Sequence, residues 1–230
     1  GSLDISLGFA DTSNSSPYGI MANTLDISCQ KISTELTLDS ESKDFAGTAL
    51  CGKNGVLLKN VNFVCSSFEW GIDERTGAGI KIDNSVAEIT NVAEPIISGS
   101  SVDILNKSRV EAHGLYFAVL ADTDILISDS NVIGSSTEHE CNAIISWGNM
   151  TIEAGADVTA SSYYPALYAD YAITIEDSVI QATSTHDTAV YCYEPMKITN
   201  ADITANGLSA LGAYDGMEIT GSQLDIAGEL

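Results

Sequence analysis

Residues 166–188 read ALYADYAITIEDSVIQATSTHDT, and residues 189–209 read AVYCYEPMKITNADITANGLS. Laid over one another, both open on a small residue, alternate, reach an apolar pair two apart, turn, and alternate again. Self-similarity at a fixed period outranks local propensity in deciding a fold. The pair itself is Ile173-Thr174-Ile175 in one copy and Met196-Lys197-Ile198 in the next. Working toward the N-terminus, it recurs as Met150-Thr151-Ile152, Ile125-Leu126-Ile127, Val102-Asp103-Ile104, Ile80-Lys81-Ile82, Val56-Leu57-Leu58 and Leu25-Asp26-Ile27. Leu3-Asp4-Ile5 reads as the first copy and Met217-Glu218-Ile219 as the last. The spacings run from 21 to 31 residues and average about 24.

A period of two within each copy puts one side chain in and the next out, which is a strand. Two residues past seven of the pairs stands a turn-former: Asn60, Asn84, Asn106, Asp129, Asp177, Asn200 or Gly221. These residue types tolerate left-handed backbone. A second strand follows, around Ile32, Phe63, Val86, Val110, Val132, Val158, Val179, Ile203 and Leu224. A third closes the unit, starting at Ala49, Pro95, Ala118, Ala143, Ala166, Ala189 or Ala210, each nine residues before the next pair's second member. The unit ending at Ile82 departs from this rule, and residues 68–75 read as a local insertion.

Three short strands per unit of about 23 residues predict one right-handed parallel β-helix domain of about ten coils over residues 1–230. The hexapeptide rhythm of left-handed helices and the leucine-rich-repeat signature are both missing, and no stretch has a helical period.

Composition narrows the function. Nine Lys and Arg against 32 Asp and Glu leave a net charge of −23, which repels phosphate backbones and excludes nucleic acid as a partner. With 44% hydrophobic and 18% charged residues the chain supports a core and is not a disordered tail. No apolar run reaches the length of a membrane span. The five cysteines, at 29, 51, 65, 141 and 192, have neither disulfide-framework nor metal-ligand spacing and read as free core thiols. Abundant Ser, Thr, Asn and Asp with only two arginines suggests an exported or cell-surface protein. Gly1-Ser2 reads as a cloning remnant, and both ends as cuts from a longer chain with flanking domains.

With its repeat and its turn asparagines (Asn60, Asn84, Asn106, Asn200), the chain resembles the right-handed β-helix superfamily that includes pectate lyases. Coils such as 173–180 are similar to repeats in carbohydrate-binding β-helix domains of bacterial surface proteins. That resemblance implies an asparagine ladder, recognition of acidic plant polysaccharides and, in some members, calcium.

Catalysis finds little support. A lyase needs acids beside a basic proton acceptor, and Arg109, Glu111 and Asp103 read as exposed ion pairing. His113, His139 and His186 fall in the loops between second and third strands, without a nucleophile at a defined spacing. His139, between Glu138 and Glu140, reads as a solvated loop residue.

The third strand carries the strongest functional signal. Leu167 and Ala169, like Val190 and Cys192, read as inward, so alternation turns Tyr168 and Tyr191 outward. Cys51, Ile97, Leu120, Ile145 and Gly212 share that column, and Trp147, Asp170, Tyr193 and Tyr214 lie two residues further on. Five of the chain's 16 aromatics thus share one outer face, which suits the apolar faces of sugar rings. Trp147, Tyr168, Asp170, Tyr191, Tyr193 and Tyr214 are the candidate ligand-binding residues. Glu194 and Asp215, neighbours between coils, are the candidate metal ligands, for calcium. The leading expectation is a non-catalytic domain binding a polysaccharide or surface partner. The alternatives are a structural stalk or adhesin module and a degenerate polysaccharide lyase.

Overall fold

The computed structural model describes residues 3–4, 18–30, 34–39, 47–66, 68–74, 76–92 and 97–228. Within them the chain winds as a right-handed parallel β-solenoid with three strands per coil. The apolar pairs line up in a nine-stranded first-strand sheet, from Leu25–Ser28 to Met217–Thr220. The second-strand sheet has ten strands, ending at Gln223–Ala227, and the third-strand sheet has nine, from Tyr18–Ala22 to Ser209–Ala213. Nine strands in one sheet delimit about eight complete turns, fewer than the ten expected. One reason is that Leu3–Asp4 pairs with Leu36 and Thr37 and so belongs to the second-strand sheet, not to the column of apolar pairs.

The register of the first strands is the expected one. Ile127 pairs with Ile152, Ile152 with Ile175 and Ile175 with Ile198, and all four are fully buried. Each such side chain contributes about 1.5–3 kcal/mol by leaving water. The turn column is also as expected: Asn60, Asn84, Asn106, Asp129, Asp177, Asn200 and Gly221 all have φ between 45° and 65°. Left-handed backbone costs most other residues about 1–2 kcal/mol, which explains the residue choice.

The asparagine ladder is short. Asn84 Nδ2 donates to Asn60 Oδ1 at 2.7 Å and Asn60 Nδ2 to the Cys29 carbonyl at 2.6 Å. Asn106, whose turn holds a second left-handed residue in Lys107, donates instead to Asp83 Oδ1 at 2.7 Å. A serine column beside the turns takes over. Ser85 and Ser108 are buried, accept from the backbone N–H of Val61 and Ser85, and donate to carbonyls of the coil before.

Three register readings change. Within the stretch read as an insertion, Trp70–Glu74 is a regular third strand, with Ile72 inward between Leu50 and Ile97 and Asp73 on the outer face. Ile97, expected outward, is fully buried and Ser98 takes the outer place; Pro95 and Ile96 lie outside the described residues. In the second strands, Val86 and Val179 point outward and Ala87 and Ile180 fill the core. Ile32 and Ile5 also lie outside the described residues.

The longer turn after Trp70–Glu74 is organised by Glu74. Its carboxylate accepts from the Thr76 and Gly77 N–H at 2.7 and 2.9 Å and from both N–H and hydroxyl of Ser100. Burial alone would raise its pKa, but these donors outweigh it and bring it from 4.5 down to about 2.

Candidate functional site

The outward column of the third-strand sheet changes character along the rod. It runs Cys51, Asp73, Ser98, Leu120, Ile145, Tyr168, Tyr191, Gly212, each the paired neighbour of the next. The first two are buried, and Tyr168 and Tyr191 are half-buried. Two residues past the column, Trp147 and Tyr193 stand exposed, at 43% and 49%.

Trp147, Tyr168, Tyr191 and Tyr193 come together. The Trp147 and Tyr168 ring centroids are 6.0 Å apart, edge to face, and Tyr168 stacks on Tyr191 at 6.1 Å. Tyr193 stands perpendicular to both tyrosines, 6.3 Å from Tyr168 and 5.3 Å from Tyr191. The surface is therefore a set of corners and not the flat strip that strand spacing alone suggests. Asp170 joins it, accepting a hydrogen bond from the Tyr168 hydroxyl at 2.6 Å. Burial, then that carboxylate, push the Tyr168 phenol well above the usual range, and burial raises Tyr191 as well. Tyr214 does not join the group: it is 79% exposed and does not line the cleft.

The rings form one wall of a cleft of about 590 Å³ with Ile145 in its floor. Ligand pockets commonly have this size. The opposite wall comes from the loops between second and third strands: Phe117, Glu140, Asn142, Tyr164, Pro165 and Asp187. These six were missed in the sequence, because strand alternation assigns no face to the residues that precede the third strand. Their loops are tied together from coil to coil. Asn142 Nδ2 donates to the Pro165 carbonyl at 2.9 Å, and Tyr164 N to the Cys141 carbonyl at 3.2 Å. The Tyr163 ring is held between two histidines, 4.4 Å from His139 and stacked on His186 at 3.9 Å. His139 is thus a packing residue, although its side chain stays exposed. The Glu140 carboxylate, followed by burial and by Asp187, raises the Tyr164 phenol, so both acids act on the cleft wall.

The candidate metal ligands, Glu194 and Asp215, are exposed. Among the described residues no group of three or more His, Cys, Asp or Glu side chains comes together that could hold a metal ion. Arg109 ion-pairs with Glu111 at 2.7 Å and Glu88 at 3.7 Å on the second-strand sheet. Asp103 is on a different sheet, beside Lys81, so the three do not form one site. His113 lies in the strand Arg109–Gly114 and not in a loop, bonded to Ser135 Oγ at 2.7 Å and Glu111 at 3.3 Å.

Compared with protein-family models, with curated proteins and with solved structures, the chain matches none.

Proposed function

We propose that this β-solenoid is a non-catalytic carbohydrate-binding domain of an exported or cell-surface protein, in the manner of the pectate-lyase-like superfamily it resembles. The observation that carries the reading is the ring-lined cleft on the third-strand face. Ring faces bury the apolar faces of sugars. Asn142 and the tyrosine hydroxyls of the cleft, with Asp170 holding that of Tyr168, offer the hydrogen bonds that fix a sugar's orientation. Arg109 and Glu111, the base and acid a lyase would pair, are joined in a surface ion pair instead, and His186 stacks on Tyr163.

A glycan array followed by calorimetry on the binders tests this. Tyr168→Ala with Tyr191→Ala, and separately Trp147→Ala, should weaken binding about tenfold or more while circular dichroism stays that of the parent. Undiminished affinity in a folded Trp147→Ala and double variant places the ligand elsewhere. Unsaturated product from polygalacturonate would replace this reading with a lyase, and capture of a protein instead of a glycan would favour the stalk or adhesin reading.

A further inference from the structure

Three features of the cleft bear on what kind of sugar it takes. Two carboxylates, Glu140 and Asp187, line it, and neither lysine nor arginine does. The Tyr193 ring stands at 90° to Tyr168 and 82° to Tyr191, so a group in that corner meets π-faces from two directions. The chain as a whole carries −23, which repels a polyanion before it arrives. Ring faces attract ammonium groups, most strongly when the cation is partly desolvated between several of them. Carboxylates beside the rings add a charge-assisted acceptor for the N–H donors.

Building on the carbohydrate reading, we infer that the cleft selects a sugar bearing a protonated amine, an amino-sugar oligomer, over a neutral or acidic one. The ammonium group sits in the corner of rings, the sugar faces lie on Trp147 and Tyr168, and Glu140 and Asp187 line the same cleft. Tyr164, whose phenol Glu140, then burial and Asp187 push up, lines the same cleft. An acidic polysaccharide meets the opposite situation, with two carboxylates facing its own.

The experiment is calorimetry of the whole chain with three trimers: β-1,4-linked glucosamine, its N-acetylated counterpart, and galacturonate. The pH is set where the amines are protonated and the carboxylates ionised. The glucosamine trimer should bind about tenfold or more tighter than the N-acetylated one. Glu140→Gln with Asp187→Asn should remove that preference, bringing the two affinities to within about twofold of each other. Asparagine keeps the oxygen that accepts from Thr188 N, so the loop is preserved. Glu153→Gln with Glu176→Gln, on the first-strand sheet, removes the same charge elsewhere on the rod and should leave the preference intact. Equal loss in both acid variants attributes binding to the rod's overall field and overturns the inference. Equal affinity for the glucosamine and N-acetylated trimers, or preference for galacturonate, overturns it while the carbohydrate reading stands. Binding of none of the three sinks the carbohydrate reading, and the inference with it.

Discussion

The ring of Tyr191 lies on that of Tyr168 from the neighbouring coil, centroids 6.1 Å apart and planes 24° from parallel. Their backbones are directly paired, and strands pair at about 4.8 Å, so the rings are offset. Such a pair contributes about 0.5–1.5 kcal/mol beyond the area it buries. Space for it is left by Gly212, the next residue of the column: a Cβ there would fall 2.9 Å from Tyr191 Cδ2.

The Tyr168 phenol should be the last of the nine tyrosines to ionise. A phenol whose pKa is raised by folding stabilises the fold fully below the unfolded value of about 10 and loses that contribution as the pH climbs above it. Alkaline titration followed by phenolate absorbance should show a late phase that Tyr168→Phe lacks. Ionisation of Tyr168 together with the bulk of the tyrosines would count against the Asp170 contact.

Ile175→Ala should lower stability by about 2–5 kcal/mol, because Ile175 sits fully buried between Ile152 and Ile198. Ile175→Val should cost about 0.5–1.5 kcal/mol. Urea midpoints measure both, and a loss under 1 kcal/mol for the alanine variant would contradict the close packing of the column.

The acid limb of stability should depend on Glu74. Its folded pKa, at about 2, is depressed from 4.5, so its contribution is present above the unfolded value and disappears as the pH falls from 4.5 toward 2. Glu74→Gln should therefore be less stable than the parent at neutral pH, with the gap closing across that window. A gap that stays constant with pH would mean that the carboxylate's charge is irrelevant.

Thiol labelling should distinguish one cysteine from four. Cys51, Cys65, Cys141 and Cys192 are buried and Cys29 is half-buried; none is in a disulfide. Burial pushes the Cys65 and Cys192 thiols up, and only the thiolate reacts. Iodoacetamide on the native protein should modify Cys29 alone, with all five labelled in denaturant, as read by peptide mass spectrometry.

Alternation and period made the solenoid and half of the cleft legible in the sequence. Tyr168 between Leu167 and Ala169 has one possible face once the strand is recognised. The errors fell where two apolar residues are adjacent. Ile96-Ile97, Val86-Ala87 and Val179-Ile180 satisfy the inward pattern in either of two registers, and a slip of one residue exchanges the faces. Trp70–Glu74 was hidden by its longer following turn, which upset the count of nine. Glu140, Tyr164 and Asp187 belong to loops of unequal length, and only three-dimensional stacking of those loops brings them opposite the rings.

Because one backbone course carries the column from Ser98 to Tyr191, its outer positions take side chains of different kinds. Serine, leucine, isoleucine and tyrosine occupy successive slots on the same course of strands. A cleft assembled this way is transposable. Shifting it by one coil takes an exchange of side chains along the column and in the facing loop, and no new fold. Lengthening it takes the same operation repeated, so the extent of the aromatic cleft along the rod can be edited one rung at a time.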